Sequence, residues 1–99
     1  MREYLIRRTD GEWFDLPIDK LPTVLRPTSV LSEPIKGPGD FRIRILDAEV
    51  SFSYEDPGIQ VSFESGTLSD VQTGQIVQEI LTSITALTGQ KGRIVQISF

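Results

Sequence analysis

The stretch from Ser69 to Gly89 constrains the fold most, because it predicts one long amphipathic helix. Its large aliphatic residues recur at spacings of one, three and four, which places them on one stripe of a helix with about 3.6 residues per turn. They are Ile76, Val77, Ile80, Leu81, Ile84 and Leu87. Ser69 is a suitable N-cap, and Gly89 is a suitable left-handed residue at the C-terminal end. A stripe of this size has to be buried, and we expect a sheet to cover it.

Segments that alternate between apolar and polar residues predict the strands of that sheet. Three of them follow one another over residues 41–45, 49–55 and 59–64, and short turn-forming joints make them an antiparallel meander. Residues 4–16 predict an N-terminal hairpin, because Asp10 and Gly11 suit a type I′ turn. A last strand over 93–99 follows the helix and returns to the sheet, and Val95, Ile97 and Phe99 share one of its faces.

Together these elements predict an α+β fold, with an antiparallel sheet of about five to six strands packed against one long helix. The sheet would consist of the N-terminal hairpin, the three-stranded meander and the C-terminal strand. A chain of 99 residues fits a single domain over residues 1–99. Residues 26–40 hold three prolines and two glycines, so we expect a long loop that packs over the domain without dividing it.

The composition excludes several kinds of chemistry. The chain has no cysteine and no histidine, which removes disulfide scaffolds, Cys-based zinc sites, thiol catalysis and His-dependent triads. Acid–base catalysis by paired carboxylates is still open for Glu49 with Glu64 and for Glu55 with Asp56, but their spacing encloses neither pair. No calcium-loop pattern of alternating acids is present. We therefore expect no enzymatic activity, no bound metal and no cofactor.

The formal net charge of −4 is unevenly distributed. Seven acidic residues and no lysine or arginine lie between residues 45 and 90. A nucleic-acid partner is not expected, since binding phosphates requires clustered basic side chains. The acidic segment over residues 45–90 either only keeps the protein soluble or attracts a basic protein partner. No segment approaches the length of a membrane-spanning helix and no secretory signal is recognisable, so we expect a cytoplasmic protein without membrane contact.

The polar side of the predicted helix carries few charges. Its residues are Gln72, Gln75, Gln78, Thr82, Ser83 and Thr85. This side is either an ordinary solvated surface or a contact surface, because the cores of interfaces are depleted in charge. Trp13 either closes an edge of the sheet or acts as a binding hot spot. The candidate partner-binding residues are Glu49, Glu55, Asp56, Glu64, Gln72, Gln75, Glu79 and Trp13.

These observations favour a small acidic protein-interaction protein without a reaction of its own. Within that class, an immunity or inhibitor protein that binds and neutralises a basic toxin or enzyme fits the size and charge. The alternative is a homo-oligomeric or structural assembly subunit that uses the uncharged helix face or a sheet edge. The oligomeric state in solution distinguishes the two hypotheses.

Overall fold

A computed structural model describes residues 2–55 and 58–98, and its centre is a six-stranded antiparallel sheet. The strands are β1 (Arg2–Arg8), β2 (Glu33–Pro34), β3 (Phe41–Ile45), β4 (Ala48–Glu55), β5 (Gly58–Phe63) and β6 (Gly92–Ser98). They lie side by side in the order β2-β3-β4-β5-β1-β6. Two helices accompany the sheet, α1 (Leu21–Val24) after a 3-10 turn at Ile18–Lys20, and the long α2 (Asp70–Thr88). The predicted α+β fold is confirmed.

Helix α2 begins and ends at the predicted residues. Ser69 and Gln72 form a capping box, in which the Gln72 backbone N–H donates to Ser69 Oγ at 3.2 Å and the Ser69 N–H donates to Gln72 Oε1 at 2.8 Å. Gly89 ends the helix with a φ of 72°. Five of the six predicted stripe residues are buried, whereas Leu87, in the last turn of the helix, is 45% exposed. Thr73 joins the stripe and hydrogen-bonds Tyr4 of β1 at 2.7 Å.

The predicted meander is confirmed by the pairing of β3, β4 and β5. Ile43 lies opposite Val50, and Phe52 lies opposite Val61, so these side chains share the face that α2 and α1 cover. Leu21 of α1 lines a small cavity together with Phe52, which places α1 over β4. The alternate residues of the same strands form the outer face of the sheet, which neither helix covers. All the large apolar residues of the inner face belong to one continuous core.

The predicted N-terminal hairpin does not form, and the type I′ turn predicted at Asp10 and Gly11 is replaced by a turn with Thr9 and Asp10 at its centre. Gly11 has a φ of 80° and its N–H donates to the Arg8 carbonyl at 3.1 Å, but residues 13–16 are not a strand. The reason is that β1 pairs with β5 along one edge and with β6 along the other, so neither edge is left for a hairpin partner. The chain leaves the sheet instead, and Phe14 and Leu16 are buried in the core.

Strand β2, which the sequence did not predict, forms within the long loop over residues 26–40. Within it, β2 pairs with β3 by placing Glu33 opposite Arg44 and Pro34 opposite Ile43. A two-residue strand that contains a proline is a suitable edge, because proline has no N–H to offer to a further strand. This edge of the sheet is therefore short, in contrast to the opposite edge at β6.

Two glycines give a matched test of the strand arrangement. A Cβ at position 58 would lie 2.3 Å from the Ile6 carbonyl oxygen, and that atom cannot move without opening the β1–β5 pairing. We expect Gly58→Ala to lower the free energy of unfolding by roughly 1–3 kcal/mol. A Cβ at position 74 in α2 would have no heavy atom within 4 Å outside its own helical neighbours. Gly74→Ala should therefore raise the free energy of unfolding by up to about 1 kcal/mol. Urea denaturation of both variants measures the difference, and equal effects would contradict the pairing.

Candidate interaction surface

Two of the predicted partner-binding acids hold a buried arginine of the same chain. Arg42 of β3 is only 8% exposed, and its Nη2 donates to Glu49 Oε1 at 3.1 Å and to Glu64 Oε1. Ser51 Oγ donates to Glu64 Oε2 at 3.0 Å. Accepting hydrogen bonds from Arg42 lowers the pKa of Glu64, and donating hydrogen bonds to Glu64 and Glu49 raises the pKa of Arg42. Glu49 and Glu64 therefore compensate a buried charge before any partner arrives.

Glu79 is engaged in a second internal contact, which ties the long loop to α2. Its carboxylate accepts hydrogen bonds from Thr28 Oγ1 at 2.7 Å, from the Ser29 N–H at 2.8 Å and from Ser29 Oγ at 2.5 Å, as well as from the Thr28 N–H. The side-chain hydrogen bonds from Ser29 and Thr28 lower the pKa of Glu79 to about 2. This acid anchors the loop.

The remaining predicted residues do not form one surface. Gln72 belongs to the capping box, and the exposed Gln75 lines a shallow groove with Val30 of the loop. Trp13 is 43% exposed and its ring packs against Tyr54, with 6.2 Å between the ring centres. Glu55 is exposed on β4, and Asp56 lies outside the described residues. Among the described members of the predicted set, Glu49 and Glu64 meet at Arg42, and Gln72 and Gln75 line one groove.

The surface that sequence reasoning missed lies on the outer face at the β6 side of the sheet. Val95 is 36% exposed and Ile97 is 48% exposed, so the face that they share points away from the core, and Phe99 lies outside the described residues. The pairing of Ile94 with Ile6 turns the other face of β6 towards α2. The segment over 93–98 carries apolar residues at both odd and even positions, and a period of two could not decide between them.

Arginines flank these apolar side chains. Arg7 of β1 lies directly opposite Arg93 of β6, on the same outer face as Val95 and Ile97. The Nε of Arg7 is buried without a hydrogen-bond partner. Within the part of the chain that the structure describes, neither guanidinium forms a hydrogen bond or an ion pair. We call this surface the β6 edge patch, and it consists of Leu5, Arg7, Arg93, Val95 and Ile97.

A groove runs beside the same strand on the helix side. Its volume is about 480 Å³. It is lined by Gln78, Leu81, Thr82, Thr85, Ala86, Lys91 and Gly92. Three of these residues, Gln78, Thr82 and Thr85, belong to the uncharged helix face that the sequence suggested as a contact surface. The uncharged part of α2 and the outer strand β6 therefore border one depression.

The described residues offer little that resembles a reaction centre. Five depressions on the described surface are each lined by at most one acidic side chain. Across residues 2–55 and 58–98, no three metal-ligating side chains gather in one place. None of the described helices combines the length and apolar character needed to cross a membrane.

Comparison with known proteins gives no match: no family model, no curated protein and no solved structure is significantly similar to the chain. Function therefore has to be argued from the surfaces themselves.

The contact between Glu79 and the loop predicts a pH-dependent contribution to stability. The folded pKa of about 2 lies below the ordinary value of 4.5, so the contribution is complete above pH 4.5 and is lost as the pH falls through 2. We expect Glu79→Gln to lower the free energy of unfolding by roughly 1–2 kcal/mol near neutral pH, because the charge on the acceptor is lost. Denaturation curves at several pH values should show the two proteins converging in acid. Glu55→Gln is the control, and it should behave as wild type throughout.

Proposed function

We propose that this chain is a protein-interaction protein without a reaction of its own, and that it binds its partner along strand β6. The observation that carries the proposal is the outer edge of this seven-residue strand, with which no described strand pairs. An edge of this length presents a row of unpaired N–H and C=O groups, which proteins usually shorten, cover or protect with charge. The opposite edge is shortened to two residues, whereas β6 is not.

The surroundings of β6 suit the addition of a strand from another protein. In this mode of binding, backbone hydrogen bonds supply affinity and alternate side chains fill neighbouring pockets. Side chains on one face of the added strand would contact Val95 and Ile97, and those on the other face would enter the groove beside α2. The groove residues from α2 carry no charge, as is typical of the core of an interface.

A second candidate function is self-assembly, which the same edge favours. Antiparallel pairing of two copies of β6 would join two sheets into one, and such an isologous contact closes after two subunits. In that case the chain is a homo-oligomeric or structural subunit. Light scattering at micromolar concentration distinguishes the alternatives, since a monomer supports a heterologous partner.

A narrower form of the proposal is an inhibitor that neutralises a basic toxin or enzyme. It is supported by the net charge of −4 and the acidic segment over 45–90. Glu49, Glu64 and Glu79 are already engaged internally, so the acidic segment would act mainly through its long-range field. Association with a basic protein should then slow markedly as the ionic strength rises. Stopped-flow rates that do not change between low and physiological salt would contradict this form.

Lysine substitutions on β6 test the proposed docking edge. We expect Val95→Lys and Ile97→Lys to abolish binding of peptides selected against the wild-type protein from a displayed random library, because lysine on an edge strand opposes further pairing. Both side chains are exposed, so stability should change by less than about 0.5 kcal/mol. Fluorescence anisotropy measures binding.

The control for these variants is Leu31→Lys, which places the same charge on a side chain that is 94% exposed in the long loop. It should leave binding unchanged. Equal loss of binding in the control, or full binding in both β6 variants, would rule out docking along this edge.

A further inference from the structure

The β6 edge patch also indicates the chemistry of the segment that would dock there. We infer that it takes an extended acidic segment of a partner protein, with a carboxylate placed over the opposed guanidiniums of Arg7 and Arg93. The inference rests on the proposed docking along β6 and adds the charge and the residue pattern of the partner.

The two arginines are an uncompensated like-charge pair. Residues directly opposite each other in an antiparallel pair have Cβ atoms about 4.5–5.5 Å apart, and like charges at that position are destabilising. The nearest described acid along this row is Glu55 on β4, with Gly58 of β5 lying between it and Arg7. No ion pair joins Glu55 to Arg7 or Arg93 in the described chain, and Glu55 Oε1 instead accepts a hydrogen bond from Ser53 Oγ at 3.4 Å. The repulsion between Arg7 and Arg93 is therefore not relieved within the described chain.

A carboxylate from outside is the group that fits this position. A guanidinium presents a planar set of N–H donors that matches the two oxygens of a carboxylate. The Nε of Arg7 is already removed from water and has no acceptor, so part of the desolvation cost of an ion pair is met before the partner binds. One carboxylate between the two side chains would compensate both charges and supply acceptors.

The spacing along β6 extends this argument to a sequence pattern. Arg93, Val95 and Ile97 are two residues apart on the outer face, and an added strand presents its side chains on that face with the same period. An acidic residue would lie opposite Arg93, and apolar residues would lie opposite Val95 and Ile97. Every pairing in this sheet is antiparallel. A segment that pairs antiparallel with β6 meets Ile97 first, then Val95 and then Arg93. Read from its N-terminal end, the partner segment therefore has the pattern apolar-x-apolar-x-acidic.

A second copy of this chain complements the charges of the β6 edge patch less well than an acidic segment does. When two β6 strands pair antiparallel with the fullest overlap, Arg93 lies opposite Ile97 of the partner subunit. The arginine pair of each copy then receives no carboxylate. A heterologous acidic segment is therefore the occupant that the charges favour.

Two synthetic peptides test the inference, one containing Val-Thr-Ile-Thr-Glu and the other containing Val-Thr-Ile-Thr-Gln, each with identical neutral flanks and a fluorophore. We expect the acidic peptide to bind wild-type protein roughly 10- to 100-fold more tightly, as for hydrogen bonds to charged groups. Arg93→Gln and Arg7→Gln should remove that preference. Lys36→Gln removes an exposed positive charge from the long loop and should preserve it.

The outcomes separate this inference from the proposed function. If the two peptides bind wild-type protein with equal affinity, the inference of an acidic partner is overturned, whereas the proposed docking along β6 is not affected. Failure of both peptides to bind overturns the inference and removes support for strand addition as well. The exposed Arg93→Gln variant should also melt at the same temperature as wild type or higher, because it relieves the repulsion. A clear fall in its melting temperature would show a structural role for Arg93 and overturn the inference.

Discussion

The position of β1 between β5 and β6 is the constraint on which the rest of the structure depends. This strand joins the meander in the middle of the chain to the strand that follows α2, so the sheet is continuous only through it. Tyr4 of β1 contacts Thr73 of α2 by a buried hydrogen bond and packs edge-to-face on Phe63 of β5. One strand therefore organises both the sheet and its contact with the helix.

The same arrangement decides which surfaces are left for a partner. Because both edges of β1 are occupied, the chain after its turn cannot extend the sheet, and β6 becomes the outer strand. Its inner face lies beside α2, so the groove and the β6 edge patch lie on the two sides of one strand. The binding surface that we propose is thus a consequence of strand order, and it does not depend on an unusual residue.

Several acids that look free in the sequence are used inside the fold. Glu49 and Glu64 have no basic neighbour in their own segment, but Arg42 reaches them across adjacent strands. Glu79 accepts hydrogen bonds from Thr28 and Ser29, about 50 residues earlier in the chain. Charge counting along the sequence misses such contacts because they depend on strand pairing and loop packing, at separations of 7, 22 and 50 residues. Three of the acids that the sequence suggested for partner binding therefore already have internal partners, whereas part of the uncharged face of α2 borders the groove beside β6.

Local pattern alone determined the long helix with its caps, the three-stranded meander and the α+β class, because periods of 3.6 and 2 and the capping residues are properties of neighbouring positions. Only the tertiary structure decided that the predicted hairpin is replaced by the pairing of β1 with β5 and β6. It also decided that Val95 and Ile97 face outward, and that Arg7 meets Arg93. Those outcomes depend on long-range register, and a segment with apolar residues on both of its faces does not encode its register by itself.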